Sequence, residues 1–261
     1  MTTEQLLLVE RQARFARLCE ESMREKHVMG EAGIGTLGEK RLHVLIKRFL
    51  CENEDYHEVG VANTRFVSDV RIGNDIYEVQ TGPFHPMRAK IQHYLEKTDC
   101  TVTVVHPIAS KRWISWIDPK KGTVSDRSRV IRAGRPQDLL PTLYPLLPML
   151  GNPRLRFRLL LIEAQDFRML SSRTRDPKKG AKKYERIPLA LLDDIEFRTS
   201  SDFLPFVPDK LPAHFTVKMF SDLTKIRGRD AYSAVRVLCA LGIFAPADPI
   251  GRSMGFVREE N

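Results

Sequence analysis

Apolar and polar residues alternate in two short runs of the chain, FVSDVRI at 66–72 and DIYEVQ at 75–80. Such alternation predicts strands, and the Gly73-Asn74 pair between them tolerates the positive φ of a tight turn, so we predict a β-hairpin. Centred on 73 and 74, the hairpin places Asp69 opposite Glu78 and Arg71 opposite Ile76. The other side is then the core face, which comprises Phe66, Val70, Ile72, Tyr77 and Val79.

Helical spacing of apolar residues occurs before and after this hairpin. A helix is predicted over 36–51, because its apolar residues recur at i, i+3, i+4 and i+7, and Glu39 lies on the same stripe one turn before Leu42. A charged helix over 4–27 is predicted as a peripheral arm. Pro86 can open a further helix, whose predicted inward face comprises Met87, Lys90, Ile91, Tyr94 and Leu95.

The remaining strands complete one α/β pattern. Residues 56–62 fit a first strand, the β-branched run at 101–108 fits a strand buried on both sides, and residues 112–118 fit a last one. The order is helix, three strands, helix, strand, which predicts an α/β sandwich built on a mixed sheet. Trp113 and Trp116 are most simply packing residues of the last strand.

The C-terminal segment, 214–258, follows a different pattern. Thr216 is a helix cap, Gly228 lies in a turn, a second helix ends at Gly242, and a β-hairpin follows. Helix–turn–helix and then hairpin is the winged-helix order. The turn and second helix carry four basic residues where a DNA-reading surface would be, namely Lys225, Arg227, Arg229 and Arg236.

Between these parts lies a connector with a strongly basic segment. Residues 173–186 carry seven basic and two acidic residues without apolar periodicity, so we predict a loop or arm that contacts phosphate, a solvated loop being the alternative. Its nucleic-acid-binding candidates are Lys178, Lys179, Lys182 and Lys183. The predicted organisation is a helical arm at 1–30, an α/β domain at 31–133, a connector at 134–200 and a winged helix at 201–261.

The amino-acid composition limits the classes of partner and the cellular location that we expect for the chain. Its 261 residues carry a formal net charge of +9, which favours an anionic partner, nucleic acid first. The four cysteines form no CxxC pair, so neither a zinc site nor a disulfide framework is indicated. No signal peptide is visible and no stretch approaches the roughly 20 apolar residues of a membrane span, so we expect a cytoplasmic protein without membrane contact.

The acidic residues carry the candidate chemistry. Two carboxylates opposite each other on a sheet repel unless a cation lies between them, and Mg²⁺ binds such oxygens. The alternative is that Asp69 and Glu78 are solvated or form salt bridges with Arg65 or Arg71.

Glu39 on a first helix, Asp69 on a second strand, Glu78-Val79-Gln80 on a third, and a helix near Pro86 resemble the PD-(D/E)XK nuclease superfamily over residues 30–118. The resemblance implies a restriction-endonuclease-like fold and a mixed sheet flanked by helices. The whole chain is similar to a group of bacterial proteins that implies no activity of its own. Its domain pairing is similar to that of the transposon endonuclease subunit TnsA, although the motif residues differ.

The resemblance also implies roles for the site residues. Asp69, Glu78 and the carbonyl of Val79 would hold Mg²⁺ or Mn²⁺, with Glu39 assisting. The superfamily's usual lysine is Gln80 here, which can orient a water but carries no charge, and Lys90 on the next helix is the candidate for the missing cation. A lysine stem lying along apolar surface is the commoner situation for such a residue.

Three functions therefore stay open. The first is a metal-dependent DNA endonuclease that uses Glu39, Asp69, Glu78, Gln80 and Lys90, with duplex or branched DNA positioned by the basic residues. The second is a catalytically silent DNA-binding or regulatory protein on the same scaffold, which Gln80 favours. The third is an adaptor, with a homodimer or protein partner contacted through the winged helix.

Overall fold

The described residues form a mixed β-sheet flanked by helices, together with a second, small sheet near the C-terminus. The structure is a computed structural model that describes residues 2–24, 37–130, 133–171 and 176–259. Residues 37–40 are described for their backbone alone. The prediction of an α/β chain on a mixed sheet is thereby confirmed.

The helices of the described ranges are α1 (Thr3–Arg24), α2 (Leu37–Leu50), α3 (Arg88–Lys97), α4 (Leu139–Thr142), α5 (Val217–Thr224) and α6 (Arg229–Ala240). The strands are β1 (His57–Gly60), β2 (Val67–Ile72), β3 (Asp75–Val79), β4 (Thr101–Asp118), β5 (Thr123–Val124), β6 (Ser128–Arg129), β7 (Leu155–Met169), β8 (Lys182–Phe197), β9 (His214–Thr216), β10 (Phe244–Ile250) and β11 (Ser253–Arg258). Short 3₁₀ turns occupy Glu54–Tyr56, His85–Met87, Pro136–Asp138, Tyr144–Met149 and Ser200–Phe206.

The large sheet has the order β1-β2-β3-β4-β7-β8, with β5 and β6 paired to β4. The pair β2–β3 is antiparallel, whereas β3 and β4 are parallel, with Asp75 opposite Thr101 and Val79 opposite Val105. A parallel pair needs a crossover, and the chain segment between β3 and β4 contains α3. The site residues predicted on β3 and α3 therefore belong to one strand–helix–strand unit.

The hairpin β2–β3 has the predicted register, with Val70 opposite Tyr77, Arg71 opposite Ile76 and Ile72 opposite Asp75. Gly73 has φ 60° in the turn, a conformation that glycine adopts without a side-chain clash. The prediction of one core face was wrong in part. Ile72 is 40% exposed beside the turn, while Ile76 on the opposite face is fully buried. The inner part of this hairpin is therefore buried on both faces.

Two predicted strands, 101–108 and 112–118, are one strand of 18 residues, β4. The polar residues between them suggested a break, but the backbone there has neighbours: Ala109 accepts a hydrogen bond from Gly134, and Arg112 accepts one from Val130. These bonds satisfy the extended backbone, so the strand continues.

The basic segment 173–186 is only partly a loop. Residues 173–175 lie outside the described residues, a turn follows, and Lys182 begins β8. Lys182 and Lys183 are therefore strand residues, with both side chains exposed. The start of β8 could not be predicted from its own residues, because they are highly charged and show no apolar alternation. The segment is a strand because it pairs with β7.

Helix α1 packs against α2 through a buried patch of its own. Phe15 is fully buried, and its ring centroid lies 5.3 Å from that of Phe49 at an edge-on angle of 78°. Arg48 donates to Glu21 at 3.2 Å on the same interface. The predicted helix is confirmed, and these contacts anchor its C-terminal half to α2.

The C-terminal elements follow the predicted order of helix, turn, helix and hairpin. Thr216 accepts a hydrogen bond from the amide of Met219 and caps α5, and Lys225 ends that helix with φ 61°. The hairpin β10–β11 pairs with β9, giving the sheet order β10-β11-β9. At Gly255 an added Cβ would overlap the carbonyl oxygen of Asp248, so this close strand contact requires glycine.

The chain divides into two compact units, each assembled from three segments. The first unit comprises Met1–His57, His106–Arg135 and Leu160–Asp194, and the second comprises Glu58–Val105, Pro136–Leu159 and Ile195–Asn261. The domain boundary predicted at 134 stays a prediction. Among the described residues, no helix is long and apolar enough to cross a membrane.

Candidate active site

The candidate site lies in the second unit, where β2, β3 and α3 bring Asp69, Glu78 and Lys90 together. Glu78 is a β3 residue whose side chain is only 4% exposed. Its Oε2 lies 2.5 Å from Nζ of Lys90, and its Oε1 accepts a hydrogen bond of 3.3 Å from the hydroxyl of Tyr94. Lys90 and Tyr94 are four positions apart on α3, so they share one face of the helix. Glu78 is thus bound at both oxygens by one helix.

Asp69 lies on β2, the strand that pairs with β3 and thus with the strand of Glu78. Its Oδ2 accepts a hydrogen bond of 2.7 Å from the backbone amide of Val79. That bond fixes the carboxylate next to the backbone of the predicted ligand residue Val79, whose own side chain is buried. The hairpin therefore positions the two carboxylates, and the register set by the Gly73-Asn74 turn determines which residues meet.

The electrostatics of Glu78 are unusual for a carboxylate. Burial is the largest cause that raises its pKa, the charge of Asp69 adds to it, and the pKa reaches about 7 although Lys90 and Tyr94 oppose the rise. Burial and the neighbouring Glu78 also raise the pKa of Tyr94, so this phenol stays a hydrogen-bond donor at neutral pH. A proton at Glu78 is therefore exchangeable near neutrality, which is a property of acid–base groups in functional sites.

Gln80 follows the site residues but is turned towards the next loop. Its side-chain amide donates to the carbonyl of Pro83 at 2.6 Å, and its backbone amide donates to Val105 at 2.9 Å. The side chain of Gln80, the residue that the sequence resemblance places where a lysine is usual, is thus held by a contact with the following loop. Lys90 from α3 supplies the positive charge beside Glu78 instead.

The predicted third acid, Glu39, belongs to α2, but its side chain lies outside the described residues. Within the described ranges no three His, Cys, Asp or Glu residues are close enough to hold a metal together. The donors that could hold one are Asp69 and Glu78. Their mutual repulsion and their hard oxygen donors fit a divalent cation, and Lys90 already offsets part of that repulsion.

The nucleic-acid candidates fall into two separate groups. In the second unit, Lys225, Arg227 and Arg229 are exposed at the turn between α5 and α6, while Arg236 is half-buried on α6. The other group lies in the first unit, namely Lys178, Lys179, Lys182 and Lys183, all of them exposed.

Two contacting residues escaped the sequence reasoning. Tyr94 was assigned only to the inward face of its helix, although its position one turn after Lys90 is a signal that both reach the same carboxylate. Asp166 is buried at 3% exposure and receives two hydrogen bonds from Arg186, of 2.6 and 3.0 Å. Its partner stands twenty residues later on the paired strand β8, and no local pattern indicates that pairing.

The clustered residues Asp69, Glu78 and Lys90 lie within a recognised family region. The family model described as "Domain of unknown function (DUF8091)" matches residues 40–198, more than half of the chain. The chain belongs to the DUF8091 family. No curated protein and no solved structure matches it. Asp69, Glu78 and Lys90 lie inside the DUF8091 region, whereas α5, α6 and the small sheet follow it.

Proposed function

We propose that this protein hydrolyses phosphodiester bonds in DNA at the site formed by Asp69, Glu78 and Lys90. One observation carries the proposal: Nζ of Lys90 lies 2.5 Å from a buried carboxylate whose strand neighbour, Asp69, is a second one. The PD-(D/E)XK resemblance expects two acids and a lysine at one place. Here α3 supplies the lysine that Gln80 does not, and we propose the restriction-endonuclease-like fold for this part.

Each residue has a defined task in this proposal. Asp69 and Glu78 would hold Mg²⁺ or Mn²⁺, with the carbonyl of Val79 as the further ligand that the resemblance implies in this unit. The metal would supply charge stabilisation and a lowered pKa for the attacking water. Lys90 donates to a phosphate oxygen where negative charge develops, and Tyr94 holds Glu78 in place.

Positioning of DNA is assigned to the basic groups outside this site. We propose that β9, α5, α6 and the hairpin β10–β11 are a winged helix, with Arg227 and Arg229 at its DNA surface. The exposed Lys178, Lys179, Lys182 and Lys183 are proposed to contact phosphates as well. These contacts carry affinity rather than chemistry.

The test is metal-dependent cleavage of supercoiled plasmid, a branched duplex and single-stranded DNA in Mg²⁺, Mn²⁺ or EDTA. Asp69→Asn and Lys90→Met should each reduce the cleavage rate by about 100-fold or more, because each removes a charge from the reacting site. Lys97→Met is the matched control, since Lys97 is exposed on the same helix. Residual cleavage that is equal in wild type and Asp69→Asn would refute the proposal.

A second candidate function is favoured by one observation. Both oxygens of Glu78 are already engaged, and the amide of Gln80 is held by Pro83, so the site is satisfied by its own side chains. A DNA-binding or regulatory protein that does not cut is consistent with that arrangement. It predicts salt-dependent DNA binding with no metal-dependent cleavage and no calorimetric Mg²⁺ binding.

The third hypothesis, an adaptor protein, can be distinguished from the two DNA-binding hypotheses by substituting the basic residues near α6. Substitution of Arg227 and Arg229 by alanine weakens DNA binding if the winged helix reads DNA. Unchanged nucleic-acid binding in that double variant would instead favour a homodimer or protein partner at this surface.

A further inference from the structure

Trp113 is a half-buried residue of β4 in the first unit, beside the exposed short strands β5 and β6 that pair with β4. Trp113 lies opposite Arg129, and Ile117 lies opposite Val124. Four residue steps separate the two β4 residues, and five separate their partners, so the β5–β6 side contains one extra residue. Such a bulge redirects a side chain, and Arg127 lies within it.

Two basic side chains lie over the indole of Trp113, and a third basic residue stands opposite it on the paired strand. The guanidinium carbon of Arg127 lies 4.8 Å from the ring centroid, and Nζ of Lys111 lies 5.7 Å from it. Arg129 shares the same face because it stands directly opposite on the paired strand. Glu163 orients the ring by accepting from Nε1 at 2.6 Å, and it also pairs with Lys111 at 2.9 Å.

This arrangement combines an aromatic ring with neighbouring cations, the two features to which single-stranded nucleic acids bind. Their bases stack on aromatic rings, and their phosphates pair with cations beside those rings. Arg127 is exposed, and an exposed cation above a ring contributes less than a stacked base does. A base can therefore replace Arg127 on the indole, and the released guanidinium then pairs with the adjoining phosphate.

We propose that Trp113, with Lys111, Arg127 and Arg129, is a binding site for single-stranded nucleic acid. A paired base in a duplex does not expose the ring face that this stacking needs, so the site prefers single strands. The proposal does not rest on the proposed hydrolysis, because the two sites share no residue. The competing explanation is that these charges only keep the sheet edge from pairing with another chain.

The chain contains two tryptophans, which makes the site directly observable. Trp116 is three positions further along β4, so it leaves the extended strand on the opposite side, where Nζ of Lys178 lies 5.3 Å from its ring. In Trp116→Phe the only tryptophan is Trp113, and in Trp113→Phe it is Trp116. The fluorescence of the two variants therefore reports the two sides of the strand separately.

The experiment titrates each variant in EDTA with a 15-nucleotide oligothymidylate, the matching oligouridylate and a duplex of equal length. We expect stronger quenching by a single strand in Trp116→Phe than in Trp113→Phe, where the remaining Trp116 reports only a phosphate contact at its neighbour Lys178. Affinity measured by anisotropy should fall about 5- to 150-fold in Trp113→Leu, and less in Trp113→Phe, which keeps an aromatic ring. The oligouridylate shows whether the site distinguishes RNA from DNA.

The cation requirement is tested separately from stacking. The slope of log affinity against log salt is negative, and Arg127→Ala should make it less negative by about 0.7. That is the change expected when one phosphate contact to a single strand is lost. Lys97→Ala is the charge-matched control, because Lys97 lies outside both proposed sites. Circular dichroism confirms that each variant is folded.

Three results would overturn the proposal. They are tighter binding of the duplex than of single strands, equal affinity of wild type and Trp113→Leu, and oligonucleotide binding that leaves Trp113 fluorescence unchanged. Absence of any binding would leave the edge-protecting explanation in place of ours. Because the readout needs no metal, Asp69→Asn should quench like wild type, so failure of hydrolysis and failure of this site are distinguishable.

Discussion

Replacing Glu78 by glutamine should change how the stability of the protein depends on pH. The ordinary pKa of this carboxyl is 4.5, and burial followed by the charge of Asp69 raises it to about 7 in the folded chain. Between these two values the unfolded chain has released the proton while the folded chain still holds it. Stability from this group is therefore fully present below pH 4.5 and is lost as pH rises through about 7.

The magnitude follows from the same two values. The interval from 4.5 to about 7, at about 1.4 kcal/mol per pH unit, corresponds to roughly 3 kcal/mol of unfolding free energy. Solvent screening reduces this little, because the side chain is only 4% exposed. Glutamine has nearly the same shape and does not titrate; its one oxygen can accept from Lys90, and its NH2 can donate to the hydroxyl oxygen of Tyr94.

The assay is urea unfolding of wild type and Glu78→Gln at intervals from pH 4.5 to 8. The difference in unfolding free energy should move by about 3 kcal/mol in favour of the variant as pH rises. Asp69→Asn removes the second cause of the raised pKa, so in that background the change should be smaller and centred at lower pH. Parallel profiles of wild type and Glu78→Gln across this range would refute the reasoning.

Three further predictions concern packing and reactivity. Gly255→Ala should destabilise the protein by about 1–3 kcal/mol in thermal or urea unfolding, because a Cβ there overlaps the neighbouring strand, whereas Gly60→Ala, with open space at its Cβ, should not. Burial raises the pKa of Cys19 to about 12 from 9.0, so its alkylation at pH 8 followed by mass spectrometry should be roughly 1000-fold slower than in urea; equal rates would contradict its burial. Phe15→Ala should lower the unfolding free energy by about 3–5 kcal/mol, because Phe15 is fully buried. Leu7 is 47% exposed on the same helix, so Leu7→Ala should lower it by less than about 0.5 kcal/mol. Similar losses in the two variants would show that α1 does not pack on α2.

Local patterns predicted those elements whose structure depends on near neighbours. The apolar stripe of Leu42, Leu45, Ile46, Phe49 and Leu50 predicted α2; the first four side chains are buried and Leu50 is half-buried. The Gly73-Asn74 turn predicted the hairpin register to the residue, because a two-residue loop fixes which positions face each other.

Predictions were wrong where distant segments determine the backbone. The single strand β4 was predicted as two, since its middle residues obtain hydrogen bonds from Gly134 and Val130, which are 25 and 18 positions away from their acceptors. The start of β8 was predicted as a loop for the same reason: its order comes from β7 and not from its own composition.

The candidate site shows the same division. The sequence named Asp69, Glu78 and Lys90, but their chemistry depends on burial and on distances between segments. A carboxylate at 78 is ordinary in the sequence. It becomes a group with a pKa near 7 only because α3 covers it and places Lys90 and Tyr94 at its oxygens.

The sequence by itself therefore determined the periodic elements, the turn that sets the hairpin register, and the identity of the charged groups. These depend on backbone preferences and on spacing within a few residues. Only the tertiary structure decided that Glu78 is buried between Lys90 and Tyr94, that Asp166 meets Arg186, and that a bulge brings Arg127 over Trp113. The physical reason is that desolvation, charge pairing and stacking act over a few ångströms in space, whatever the separation along the chain.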